Sequence, residues 1–105
     1  MTSCDTNILF AACNRDALQH DPARAFLAAH AGDSRFVLCE QVLMELYCLL
    51  RNPSVCRSPL TAGEAVAMIQ AFRRNPHWRV VDVPPDLAVM DRVWRAASSA
   101  GFAYR

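Results

Sequence analysis

Short apolar segments that alternate with helical patterns are the feature of this sequence that most constrains its fold. Residues 35–39 and 78–83 are rich in β-branched and aromatic side chains and lie between turn signals, which predicts two strands. Thr2 to Asp5 is a third, shorter candidate strand. Strands that alternate with helices favour a parallel sheet with helices on both faces. We therefore expect a three-layer α/β/α fold in which ligands bind beyond the carboxyl ends of the strands.

Five helical patterns lie around these strands, and several of them carry end signals. Asp21 and Pro22 are typical of an N-cap followed by a first-turn proline, and Gly32 is typical of a helix end. Thr61 and Glu64 have the spacing of a capping box. The predicted helices cover residues 8–13, 22–31, 40–51, a segment that begins after Thr61, and 87–99 with an end near Gly101.

Length and composition place the chain among globular proteins. Its 105 residues are the length of one domain, which we take as residues 1–105. Apolar residues make up 53% of the sequence, yet no apolar run approaches the ~18 residues that a membrane-spanning helix needs. The first residues lack the basic and apolar segments of a signal peptide, so we expect a cytoplasmic protein.

The five cysteines predict neither a disulfide scaffold nor a zinc site. Their number is odd, none of their spacings is C-x-x-C, and the three histidines do not group with them. The net charge of +1 gives no strong signal for nucleic-acid binding. All eleven basic residues are arginine, which suits phosphate binding, but biased residue usage is the favoured explanation, so nucleic-acid binding has to be argued from the site.

Asp5 lies where the first predicted strand ends, at the edge where α/β folds bind ligands. The alternative is that Asp5 only caps the following helix, a common role of Asp before an apolar run. Thr6 and Asn7 could supply that cap equally well, and we therefore expect Asp5 to be redundant as a cap.

Glu45 lies within a leucine-rich helical pattern whose polar rim is predicted to run through Glu40 and Arg51. None of the residues three or four positions from Glu45 is basic. A carboxylate that faces an apolar surface is costly unless it is paired or bound to a metal. The alternative is that Glu45 lies at the margin of the apolar face and that its carboxylate reaches water.

The two segments together resemble the PIN-domain family, and specifically the VapC toxins of bacterial toxin–antitoxin pairs. Asp-Thr-Asn-Ile-Leu at 5–9 is similar to the opening signature of the family, in which the Asp at the end of the first strand binds a metal. Val-Leu-Met-Glu-Leu-Tyr at 42–47 is similar to the second signature, a Glu in an apolar helix after the second strand. The order and separation of the two motifs fit the family over nearly the whole chain.

The resemblance implies a PIN-like fold and a ribonuclease that hydrolyses RNA phosphodiesters with Mg²⁺ or Mn²⁺. Asp5 and Glu45 would be the catalytic metal ligands, and Asn7 would support those ligands without binding the ion itself. The implied partners are the RNA substrate, a cognate antitoxin protein and a second copy of the chain in a homodimer.

The resemblance also implies acidic residues that this sequence does not supply. PIN domains carry a third acidic residue near the start of the helix that follows 87–99, and the chain stops at Arg105, where that element is expected. Asp86 and Asp91 belong to the preceding helix, and we interpret them as structural. We therefore expect a domain that lacks its C-terminal elements and a chain with weak or no activity.

Two rival functions remain at this point. The chain could be a catalytically incomplete scaffold that binds an antitoxin or forms a dimer, with large side chains such as Phe26, Tyr47, Phe72 and Trp94 in a partner groove. Side chains of this kind belong more often to the core. A generic phosphate-binding domain is disfavoured because the chain has only three glycines and no glycine-rich loop.

Overall fold

A computed structural model describes residues 2–81 and 87–100 of the chain. The strands are β1 (Thr2–Ser3), β2 (Phe36–Cys39) and β3 (Arg79–Val81). The helices are α1 (Thr6–Cys13), α2 (His20–Ala29), α3 (Glu40–Arg51), α4 (Ala62–Arg73) and α5 (Leu87–Ala100). None of the described helices is long and apolar enough to cross a membrane.

The three strands form one parallel sheet in the order β1-β2-β3, which confirms the predicted α/β class. Phe36, Val37 and Leu38 of the central strand are all buried. Because successive side chains of a strand point to opposite faces, both faces of β2 are covered. A strand that is covered on both faces requires a run of apolar residues without polar alternation, and the sequence of β2 supplies one.

The core lies between the central strand and the helices, and α3 contributes most to it. Leu43, Leu46 and Leu50 recur at helical spacing and are each at most 2% exposed. They pack in one cluster with Leu9 of α1, Ile69 of α4, and Phe36 and Leu38 of β2. Tyr47 and Trp94 belong to the same cluster, and so they are core residues rather than parts of an open partner groove.

The predicted ends of α2 are wrong. The helix begins at His20 after Gln19, so Asp21 lies in its first turn instead of capping it. At the other end the C-cap is His30, two residues before Gly32. Side chains there bond the terminal carbonyl oxygens: the His30 ring lies 2.9 Å from the Phe26 oxygen, and Trp78 Nε1 donates to the His30 oxygen. A glycine is therefore not needed to end the helix.

The later elements follow the predictions closely. Thr61 and Glu64 form the predicted capping box at the start of α4, with both reciprocal hydrogen bonds present. The predicted strand at 78–83 is seen as Arg79–Val81, and the residues after Val81 lie outside the described part of the chain. α5 ends at Ala100, and the predicted helix end at Gly101 also lies outside the described residues.

The prediction that Glu40 lies on the polar rim of its helix is wrong. Its side chain is 1% exposed and pairs with Arg73 of α4, whose Nε lies 3.0 Å from Glu40 Oε1. Trp94 of α5 donates an indole hydrogen bond of 2.8 Å to the same oxygen. Arg73 also binds Asp91 and Gln70. The reason is tertiary: Arg73 and Trp94 lie 33 and 54 residues from Glu40 in the sequence, so no local pattern reveals these partners.

We predict that Arg73→Met lowers the free energy of unfolding by about 3–5 kcal/mol, because it leaves the buried Glu40 carboxylate without its counter-charge. The matched control is Arg74→Met, which removes the next arginine from an exposed position and should change stability by less than about 0.5 kcal/mol. Urea unfolding of both variants measures the difference. Equal stabilities would contradict a structural role for the pair.

Candidate active site

A cleft lies at the carboxyl edge of the sheet, as the α/β topology predicts. It has a volume of about 400 Å³. The residues that line it come from the ends of the three strands and the first turn of α3, namely Ser3, Cys4, Asp5, Val37, Cys39, Val42 and Val81. Asp5 is the only carboxylate among these described lining residues, and it gives an otherwise apolar cleft a negative charge.

Asp5 is the N-cap of α1. Its Oδ1 accepts a hydrogen bond of 3.2 Å from the Ile8 backbone, so the expectation that Asp5 is redundant as a cap is wrong. Thr6 cannot take this role, because it is the first residue of the helix and its side chain is buried. The cap engages one oxygen of an exposed carboxylate, and the second oxygen has no hydrogen-bond partner among the described residues.

Glu45 lies beside the first turn of α1. The Thr6 hydroxyl donates a hydrogen bond of 3.3 Å to Glu45 Oε2, and Thr6 directly follows Asp5 in the chain. The structure thus brings the two predicted carboxylates to the same end of α1. Glu45 is exposed, which matches the alternative in which its carboxylate reaches water. The exposure of Glu45 therefore gives no argument for a metal, and the argument rests on its hydrogen bond to Thr6, the residue after Asp5.

Asn7, the third predicted site residue, is exposed in the first turn of α1. With Asp5 it lines a second, mostly apolar pocket of about 650 Å³ that extends between α1 and α2. Its position beside the Asp5 cap is compatible with the predicted supporting role.

Two thiols experience the negative charge of these carboxylates. Partial burial, together with the charge of Asp5, raises the pKa of Cys4 to about 11. Burial and the charge of Glu45 also raise the pKa of Cys48. Within the described residues no salt bridge neutralises Asp5 or Glu45. All five cysteines are free, as the sequence predicts.

The described part of the chain brings no three His, Cys, Asp or Glu side chains together as a metal cluster. Asp91 is held by Arg73, and this hydrogen bond lowers the pKa of the carboxyl, which fits its interpretation as a structural residue. Asp86, interpreted in the same way, lies outside the described residues. The candidate site therefore consists of two carboxylates.

Sequence reasoning missed the residue that joins them. The sequence suggests Thr6 only as a possible cap, although a buried hydroxyl is usually bonded to a neighbouring polar group. The available signal was its position directly after Asp5, on the side of α1 that carries the buried Leu9.

The fold and the site define an α/β protein with one carboxylate, Asp5, at the carboxyl edge of a parallel sheet and a second, Glu45, linked through Thr6 to the same end of α1. Two curated relatives are both named Ribonuclease VapC24, from Mycobacterium tuberculosis strains CDC 1551 / Oshkosh and ATCC 25618 / H37Rv. Each is 49% identical to the chain over all 105 residues, which span 70% of the relative. No family model and no solved structure match the sequence. The chain belongs to the VapC ribonuclease family.

The cap geometry predicts how stability responds to changes at Asp5. Asp5→Ala should lower the free energy of unfolding by about 1 kcal/mol, because the Ile8 amide loses its acceptor. Asp5→Asn should remain close to the parent, since asparagine caps helices about as well as aspartate. Thermal and urea unfolding without metal compare the two variants. If alanine is as stable as asparagine, the cap does not contribute to folding.

Proposed function

We propose that the chain is an endoribonuclease toxin that hydrolyses RNA phosphodiesters at a Mg²⁺ or Mn²⁺ site formed by Asp5 and Glu45. The observation that carries this proposal is the hydrogen bond from Thr6 to Glu45, which brings Glu45 to the helix end capped by Asp5. The relatives named Ribonuclease VapC24 support the activity and favour it over the catalytically incomplete scaffold.

The chemistry of the two side chains fits a hard divalent cation. Mg²⁺ prefers oxygen ligands and is usually held by one or two carboxylates together with water and substrate phosphate. Asp5 and Glu45 are both exposed, and the hydrogen bonds to Ile8 and Thr6 each occupy one carboxylate oxygen. A bound ion would offset their repulsion of RNA and would make a coordinated water a better nucleophile. Thr6 would then orient Glu45, and Asn7 would support the ligands from the first turn of α1.

The surrounding surface supports the proposed protein partner. The apolar pocket between α1 and α2 begins at Asp5, and Leu18 at its rim is 98% exposed. An antitoxin segment that covers this surface could also place an arginine beside Asp5 and Glu45, where its charge would replace that of the metal. A PIN-like fold, a homodimer and action in the cytoplasm remain parts of the proposal.

RNA cleavage with matched variants tests the proposal. We expect the chain to cleave a mixed RNA pool weakly in the presence of Mn²⁺, because only two carboxylates hold the ion, and to lose this activity in EDTA. Glu45→Gln keeps the shape of the side chain but removes its charge, and it should reduce cleavage at least about 100-fold by weakening and misplacing the ion. The control is Glu64→Gln, which also removes one exposed carboxylate, while glutamine preserves the capping box.

Two results would contradict the metal site. One is cleavage that persists in Glu45→Gln or in EDTA, because it would come from other groups or from a contaminant. The other is absence of cleavage combined with equal Mn²⁺-induced shifts of the melting temperature in the parent, Asp5→Asn and Glu45→Gln.

A further inference from the structure

A third pocket, remote from the strand ends, is lined by basic side chains. It has a volume of about 390 Å³ and lies where the end of α1, the first turns of α2 and the last turns of α4 meet. Arg15, His20 and Arg24 line it, and Met68 and Phe72 of α4 add apolar surface. A pocket of this size and composition can hold a small polar ligand with one apolar face.

The charge of this pocket is positive and uncompensated. No Asp or Glu is among its described lining residues, and the neighbouring Asp16 faces Arg57 at 3.9 Å. Cys13 also lines the pocket, and because burial raises its pKa to about 11, it adds no negative charge at neutral pH. Within the described residues neither Arg15 nor Arg24 forms a salt bridge. Guanidinium groups in this arrangement suit phosphate, which they bind through paired hydrogen bonds.

His20 adds an acceptor to this set of donors. Its Nδ1 lies 2.9 Å from the Ala11 carbonyl oxygen. A carbonyl oxygen can only accept, so Nδ1 carries a hydrogen, and in the neutral ring Nε2 is an acceptor. Phosphate oxygens cannot donate to Nε2, whereas a ribose 2′-hydroxyl can.

We propose that this pocket binds one ribonucleotide of an RNA strand, with its flanking phosphates on Arg15 and Arg24 and its 2′-hydroxyl on His20 Nε2. The base would lie against Phe72 and Met68, since bases stack on apolar and aromatic side chains without strong sequence preference. The eight residues of α1 separate the pocket from Asp5 by about 12 Å, a short stretch of strand. This proposal rests on the proposed function, in which RNA is the substrate. It adds a second position at which the strand is bound, away from the proposed cleavage site at Asp5 and Glu45.

RNA binding measured in the Glu45→Gln background tests the pocket, because a strand that is not cut can be titrated. The readout is the fluorescence anisotropy of a short labelled single-stranded RNA over a series of salt concentrations. Each lost phosphate contact on a single strand reduces the slope of log K against log salt by about 0.7. The double variant Arg15→Gln/Arg24→Gln should therefore bind more weakly, with a slope reduced by about 1.4.

The matched control is Arg74→Gln/Arg95→Gln, which makes the same charge change in a different groove, between α4 and α5. It should alter the slope less than the Arg15/Arg24 pair does. An equal or larger effect of the control would overturn the proposal, as would unchanged binding in the Arg15/Arg24 variant.

A DNA strand of the same sequence tests the 2′-hydroxyl. His20→Asn retains a donor for the Ala11 carbonyl but removes Nε2, so it should reduce the preference for RNA over DNA. An unchanged preference would contradict the role of His20.

Adenosine 5′-monophosphate should compete only weakly with the RNA strand. Competition as strong as that of the RNA strand would show a free-nucleotide site instead. These measurements need no cleavage, so their failure is distinct from failure of the nuclease activity.

Discussion

The buried ion pair between Glu40 and Arg73 links three of the described helices, α3, α4 and α5. Both side chains are at most 5% exposed, and Trp94 of α5 donates to the same carboxylate. Burying two charges is costly unless each finds its partner and further hydrogen bonds, so this network favours the arrangement of α3, α4 and α5 in which the three side chains meet. Glu40 is also the first residue after β2, and the pair therefore joins these helices to the carboxyl edge of the sheet.

The orientation of α3 matters for the candidate site because Glu40 and Glu45 lie on the same helix. The buried leucines of α3 face the core, Glu40 faces α4 and α5, and Glu45 is left at the margin toward α1. α1 positions the other residues of the candidate site. Its first turn presents Asp5 and Asn7, and its last turn forms part of the basic pocket. The two ends of this short helix thus lie at the two proposed RNA contacts.

Much of this architecture could be predicted from local patterns. The apolar run of β2, the leucine spacing of α3 and the capping box of α4 each depend on residues close in sequence, and each is present in the structure. The location of Asp5 at the strand end follows from the general topology of parallel sheets. The C-terminal end of α2 could not be predicted, because side chains of Trp78 and Asn75 from a distant segment bond the carbonyl oxygens of the two residues that follow it, His30 and Ala31. The same holds for Glu40, whose partners come from two other helices.

The pairing of Asp5 with Glu45 as ligands of one ion is the central claim, and paramagnetic broadening by Mn²⁺ tests it most directly. In ¹H–¹⁵N spectra of the chain, substoichiometric Mn²⁺ should first broaden the amide signals of residues 5–7 and 45–46. The double variant Asp5→Asn/Glu45→Gln should abolish this selectivity. Broadening centred on another carboxylate such as Glu64, or a pattern that persists in the double variant, would contradict the account.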